Sequence, residues 1–509
     1  LETIDAAGKL IFPGFIDTHC HSRDGSKGAH YKEDFEHSSR AAAAGGITTV
    51  LEMPNCNPAI YSVENFRDLV KTITPKAYVD FGVWGLCLGD LNKDQLKPLA
   101  EEGVVAFKFF WGYAIDSKTY QLIYNYEEGM KDVIPPFSTG EVYKLFRDVA
   151  ETGKKIAIHA EDFGIIKVLT EEAKDKGMND YDGMLYSRPD FSETIVIDTA
   201  IKIAEATGAD LHILHLAAGD GVEIIKSAQK KGSSVTVETC PHYLALTNED
   251  YDHAGNSMKG YPPVRTKRDM ELLWGGLNDG TIAFVASDHA PHTPEEKAQD
   301  IWSAAGMVTV ETMVPVIIDA VNRGKISWNK LAEVLSEAPA KMFGLYPAKG
   351  SLEVGTDADI SIVDPDMEYI MDQTKLQSRT KLSPFDGRHM KGKMNTDMGE
   401  IIIDRDVLAK YAGTATTDCI GIVGMAAVNM KDGVTKLLKK ESAGRGVNVV
   451  VSEDGVSIEL HVIVAYGVSI RAVAQNVLES VRYKIEEFTG LKVEKINVIV
   501  DGVRIVDED

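Results

Sequence analysis

Between residues 11 and 340, short β-branched runs alternate with helix-length stretches, and this alternation constrains the fold more than any other feature of the chain. The predicted strands are 10–16, 47–52, 78–84, 104–110, 155–159, 210–215, 234–239 and 282–287. Amphipathic helices such as 142–151 and 194–206 lie between them, the latter stopped by Gly208. Strands joined by helical crossovers pair in parallel, so eight of them close most simply into an α/β fold, a (β/α)8 barrel of the TIM type. An open doubly wound sheet is the alternative. It would carry a glycine-rich phosphate loop after its first strand, and none follows here.

At 509 residues the chain exceeds a single core and calls for two or three domains. A net charge of −23 argues against a nucleic-acid surface, which needs basic patches. No apolar run is long enough for a bilayer, and Leu1-Glu-Thr-Ile lacks the features of a signal peptide. Cys20, Cys56, Cys87, Cys240 and Cys419 are scattered and form no Cys-x-x-Cys pair, a reduced, cytoplasmic pattern.

The first predicted strand ends in Phe12-Pro-Gly-Phe-Ile-Asp-Thr-His-Cys-His21. Side chains alternate along a strand, so His19 and His21 share a face and make half of a divalent-metal site, most often for zinc. Alone, the pair is weak evidence and reads as well as two ordinary polar residues at the start of a loop. In a barrel, catalytic groups gather at the strand C-termini. Those positions hold Lys108 on the fourth strand, His159 on the fifth, His215 on the sixth and Asp288 on the eighth. His212 and His215 could simply flank a buried strand. Lys108 sits in Val104-Val-Ala-Phe-Lys-Phe-Phe110, where an unpaired charge costs several kcal/mol and the pKa should fall. A neutral amine can take up carbon dioxide as a carbamate, an anionic ligand able to bridge two cations. Four histidines, an aspartate and that carbamate suit a two-metal hydrolytic centre.

Residues 1 to about 393 resemble the cyclic-amidohydrolase branch of the amidohydrolase superfamily: dihydroorotases, hydantoinases, dihydropyrimidinases and allantoinases. The motifs are Pro13-Gly-Phe-Ile-Asp-Thr-His-Cys-His-Ser-Arg23, Lys32-Glu-Asp-Phe35, Ala41-Ala-Ala-Ala-Gly-Gly-Ile-Thr-Thr-Val50 and Met53-Pro-Asn55. Further on come Glu238-Thr-Cys-Pro-His-Tyr-Leu244, Pro262-Pro-Val-Arg265, Ser287-Asp-His-Ala-Pro-His292 and Ser383-Pro-Phe-Asp-Gly387. The resemblance implies that His19, His21 and Asp288 hold one metal, that His159 and His215 hold the other, and that carboxylated Lys108 bridges them. Asp288 is then the general base and acid of ring opening. A small cyclic amide or ureide is the expected substrate, and a homo-oligomer, dimer or tetramer, the expected assembly. The dihydroorotase pattern also implies that Arg23, Asn55 and His292 bind a substrate carboxylate, with a surface salt bridge to Asp24 or Glu33 as the bland reading of Arg23. Tyr113 stands where hydantoinases and dihydropyrimidinases place an oxyanion donor. Tyr261 departs from both patterns, which have Asn or Ser before Pro-Pro. A dihydroorotase-like activity leads, with hydantoinase or allantoinase second; a non-catalytic metal-binding scaffold is the alternative of another class.

Members of that branch begin several strands earlier, with a small β-sandwich built from both termini. A truncated sandwich, residues 1–10 and 346–393, is therefore expected around a barrel of residues 1–345. Residues 394–509 read as a small α+β domain, with a helical stretch at 404–412 and a strand-period run at 456–464. A helical stripe of Val473, Val477, Val481 and Ile485 opens at Ser469 as N-cap. Tyr411-Ala-Gly-Thr-Ala415, Cys419-Ile-Gly-Ile-Val-Gly-Met425, Gly444-Arg-Gly-Val-Asn448, Ala465-Tyr-Gly467 and Asn497-Val-Ile-Val-Asp-Gly-Val503 resemble the bacterial alkaline-shock protein family, small envelope-stress or interaction proteins. His461 reads as structural. Met394-Asn-Thr looks like a fresh protein start, so a fusion is the expectation.

Overall fold

The computed structural model describes residues 6–124, 126–302, 304–394, 405–426, 446–452, 455–489 and 493–504. They belong to two compact units, Leu1–Asp397 and Met398–Asp509.

The first unit is the barrel. Its strands are Phe15–Cys20, Ile47–Glu52, Asp80–Val83 continuing as Gly85–Leu86, Phe107–Trp111, Ile156–Ala160, Leu211–Ile213, Val235–Thr239 and Phe284–Val285. Every neighbouring pair is parallel. The third strand bends at Trp84. Its amide donates to Glu52 on one side (3.0 Å), while Gly85 donates to Ala106 on the other (2.9 Å). The barrel closes between first and eighth strands through a parallel bridge of Cys20 and His289, with the His21 amide donating to the His289 carbonyl at 2.8 Å. Crossover helices have clear local causes. Ser138 and Glu141 form a reciprocal cap at the start of Thr139–Ala150, and Gly208, at φ +73°, ends Asp190–Thr207 in a left-handed turn.

The apolar run at 10–16 is two strands, not one. Leu10–Pro13 pairs antiparallel with Ile360–Ile370, which pairs with His389–Met394 to make a small three-stranded sheet. The break falls at Gly14, whose amide donates to Asp359 (2.8 Å). A Cβ there would lie 2.0 Å from Thr48 Oγ1, so only glycine lets the chain pass from sheet to barrel. Hydropathy periodicity cannot see that change of partner.

The second unit has a central strand, Gly455–Ala465. It carries Ile422–Met425 and Val447–Ser452 antiparallel, and Val493–Arg504 parallel. Val456, Ile458, Leu460, Val462 and Val464 alternate onto the buried face. They meet Ala409, Ala412 and Ala415 of helix Arg405–Thr417 and the buried stripe Val473, Val477, Val481 and Ile485 of helix Ile470–Thr489. Ser469 Oγ accepts from the Ala472 amide at 3.4 Å, the expected cap. His461 lies between Asp501 (2.7 Å) and Glu459 (3.4 Å). The stretches 395–404 and 444–445 lie outside the described residues. Among the described residues no helix is long and apolar enough to cross a membrane, and all five cysteines are free and buried.

Candidate metal centre

The C-terminal strand ends bring the predicted ligands into one buried cavity of about 50 Å³, lined by His19, His21, Lys108, His159, His215 and Asp288. Asp288 Oδ1 lies 3.2 Å from His19 Nε2 and 3.5 Å from His21 Nε2, and the two imidazole nitrogens are 3.3 Å apart. Lys108 Nζ is 3.2 Å from His19 Nε2. Across the cavity, His159 Nδ1 faces His215 Nε2 at 3.0 Å. Two of these residues sit on strained backbone, His215 at φ +38° and Asp288 at +44°, and Arg23 is at +59°. Such conformations persist only where surroundings over-determine them. For His215 the restraint is Glu193, which accepts from the amides of Ala217 and Ala218 at 2.9 Å each. For Asp288 it is Asp17, which accepts from the Ser287 amide and hydroxyl at 2.9 and 2.6 Å.

Burial keeps the imidazoles neutral: it lowers His19 to about 3 and His21 to about 4, His159 below its ordinary range and His215 well below it. Burial also lowers Lys108 to about 8, so a free amine is accessible near neutrality. Asp288 is held well below the usual carboxylate range, against the burial that would raise it. Neutral imidazoles crowding their nitrogens together around a carboxylate are a donor set for divalent cations. His19, His21 and Asp288 place three donor atoms within 4.8 Å of one another. The residues present fit a divalent cation.

The candidate ligands are themselves held. His19 Nδ1 donates to Glu238 Oε1 at 2.7 Å. Burial would raise Glu238, but His19 and His212 hold it down to about 2. Glu238 also accepts from Thr18 Oγ1 (3.0 Å) and takes His212 Nε2 at 3.4 Å, which makes His212 structural. His21 Nδ1 is 2.6 Å from Asn55 Oδ1, and His159 Nε2 is 2.9 Å from Glu161 Oε2. The sequence motifs do not include Glu161, and they contain Glu238 without marking a role for it. The available signals were the His159-x-Glu161 spacing, which aligns two side chains on one face, and a carboxylate inside an apolar strand.

Residues 10–397 match the amidohydrolase family. The chain belongs to it. It is 34% identical over 418 residues to an L-hydantoinase of Paenarthrobacter aurescens, covering 79% of this chain and 88% of that one. It is 35% identical over 401 residues to an allantoinase of Rubrobacter xylanophilus (77% and 83% covered) and 35% over 414 to a dihydroorotase of Acetivibrio thermocellus (80% and 90%). The solved L-hydantoinase (dihydropyrimidinase) of Arthrobacter aurescens superposes with a TM-score of 0.71 at 35% identity, covering 77% of this chain and 84% of that one. These relatives are hydrolases of C–N bonds, and this amidohydrolase is one too. Residues 393–505 match the alkaline-shock protein family, with cell envelope-related function.

Around the amidohydrolase centre, Arg23, Asn55, Tyr113, Tyr124 and Tyr261 line the same cavity. Asp24 is taken by Lys76 and His30, and Glu33 by the Arg379 amide and His289, so Arg23 pairs with neither. Arg23 Nε is buried without a partner among the described residues. His292 lies apart from the metal cavity. It lines an adjoining one of about 340 Å³ with Arg23 and Asn55, and its Nδ1 is 3.2 Å from Lys32 Nζ and 3.1 Å from Glu296 Oε2. Tyr113 packs edge-on against the His159 ring, with centroids 4.9 Å apart. A larger cavity of about 890 Å³, lined by Thr48, Phe81, Lys349 and Asp359, contains none of these residues.

Proposed function

We propose that this amidohydrolase opens a cyclic amide or ureide ring bearing a carboxylate, a dihydroorotase-like reaction. The observation that carries the reading is Arg23, a guanidinium with no ion pair among the described residues, lining the same cavity as the candidate ligands. A carboxylate entering a partly desolvated pocket needs such a partner. Asn55 and His292 would add hydrogen bonds to it. His19, His21 and Asp288 would hold one divalent cation, zinc by donor chemistry, and His159 and His215 a second. Lys108 Nζ, as the free amine, would form an N–C bond to carbon dioxide and release a proton, and the resulting carbamate would lie between the cations.

When bound, the cations supply Lewis acidity, polarising the ring carbonyl and lowering the pKa of water. The chain's own groups do the rest. The Asp288 carboxylate accepts the proton of the attacking water and delivers it to the ring nitrogen as the C–N bond breaks, since an unprotonated amide anion is a poor leaving group. The Tyr113 hydroxyl donates toward the carbonyl oxygen as negative charge develops there. The five free, buried cysteines support a reducing, cytoplasmic setting.

A second reading, hydantoinase or allantoinase, is favoured by Tyr113, whose hydroxyl donates to no described residue, and by the names of the relatives. Hydrolysis of dihydroorotate, hydantoin, dihydrouracil and allantoin by the zinc-loaded protein separates the two. Dihydroorotate is expected to have the highest kcat/KM. Preference for a ring without a carboxylate would transfer the assignment to the second reading.

A further inference from the structure

His159 differs from the other candidate ligands in which nitrogen it offers. A neutral imidazole carries its proton on one nitrogen and is a ligand through the other. His19 gives its Nδ1 proton to Glu238 and turns Nε2 inward. His159 is reversed, with Nε2 on Glu161 and Nδ1 facing His215. Glu161 is 1% exposed, and the same oxygen that meets His159 also accepts from Arg188. A carboxylate paired to a guanidinium accepts and does not donate, so Nε2 must carry the proton. Arg188 is itself fixed: its guanidinium lies 3.4 Å from the centre of the Tyr261 ring, and its carbonyl accepts from Arg265 at 2.8 Å. Arg265 pairs with Glu193 at 3.2 Å, the carboxylate that holds the turn after His215. This buried network thus reaches the His159 imidazole through Glu161 and the backbone that follows His215 through Glu193.

We propose that Glu161 is the positioning residue that fixes His159 as its Nε2–H tautomer and so makes Nδ1 the metal-binding atom. In its metal-binding consequence the proposal rests on the two-cation reading above. Without an acceptor at Nε2 the ring can carry its proton on Nδ1, where it blocks the cation. Hydrogen-bond partners on the far side of a metal-binding imidazole are typically worth ten- to a hundredfold in metal affinity.

The test uses the full chain and zinc. Chelator competition on wild type should give two equivalents. Glu161→Gln, whose amide nitrogen can donate to Nε2 and favour the wrong tautomer, should keep one equivalent at wild-type affinity and bind the other about ten- to a hundredfold more weakly. Glu161→Asp, which keeps the acceptor, should recover part of the loss. Nitrogen-15 NMR of histidine-labelled, metal-free protein, assigned with a His159 variant, should report His159 protonated at Nε2 in wild type and at Nδ1 in Glu161→Gln. Unchanged affinity for both equivalents in Glu161→Gln would overturn the proposal, as would a wild-type His159 protonated at Nδ1. A wild type binding fewer than two equivalents would overturn the two-cation reading and the affinity consequence, while the tautomer measurement still judges Glu161 by itself.

Discussion

His19, His21 and Asp288 bring three donor atoms within 4.8 Å of one another, whereas His159 and His215 bring two nitrogens 3.0 Å apart. The first set needs nothing beyond its own side chains. The second has no carboxylate of its own to offer a cation, because Glu161 is turned to the far side of His159. Their supports differ as well. Glu238 is satisfied by Thr18, His19 and His212, while Glu161 shares one oxygen between two donors and its Oε1 has no partner among the described residues. The asymmetry teaches that the first half-site brings three donors together by folding alone, and on the proposed reading the second would be completed by a carbamate on Lys108.

The largest expected effect follows from that difference. Lys108→Ala should abolish ring opening and remove one equivalent of zinc while leaving the other, and short carboxylic acids should restore part of the activity. Loss of both equivalents would break the comparison. Next comes Asp288→Asn. With the proposed general base and acid gone, kcat should fall by about 10²–10⁴, read in steady-state kinetics at saturating substrate.

Arg23→Met tests what the centre acts on. Charge-assisted hydrogen bonds contribute about 1.5–3 kcal/mol, and about 1.4 kcal/mol is one decade in rate. Its kcat/KM on dihydroorotate should therefore drop at least about tenfold, with far less change on hydantoin. Equal losses on both would make Arg23 structural.

The smallest effect concerns Glu52, which accepts from the Ser22 amide (3.0 Å) and hydroxyl (2.8 Å) just beyond His21. Burial raises it from 4.5 to about 8, so it is protonated in the folded state at neutral pH. A raised folded pKa gives stability that is complete below the unfolded value and lost as pH rises through the folded one. Urea unfolding should therefore show stability falling from about pH 4.5 to about pH 8, with a shallower fall in Glu52→Gln. An unchanged slope would mean that Glu52 is ionised and that the first half-site rests on a charge.

Much of the centre was legible because it is written in local pattern. Strand alternation puts His19 and His21 on one face, and a lysine among Val104, Phe107 and Phe109 announces an altered amine. Other parts depend on contacts that sequence spacing cannot express. Arg188 meets Glu161 from 27 positions away, Asn55 holds His21 as well as lining the cavity, and His292 shares a cavity with Arg23 and Asn55 while lying beside Lys32 and Glu296. The positive φ of His215 and Asp288 is imposed by Glu193 and Asp17, neither of which stands near them in the chain. The first apolar run divides into two strands for a similar reason. Nothing in an apolar run tells that Leu10–Pro13 pairs with Ile360–Ile370 while Phe15–Cys20 pairs within the barrel.

The central claim, that the second half-site is completed by a carbamate on Lys108, is tested most directly by carbon-13 NMR. Zinc-loaded protein equilibrated with ¹³C-bicarbonate should show one bound carbamate resonance that is missing from Lys108→Ala. A chain that holds two zinc ions and shows no such resonance would contradict the account.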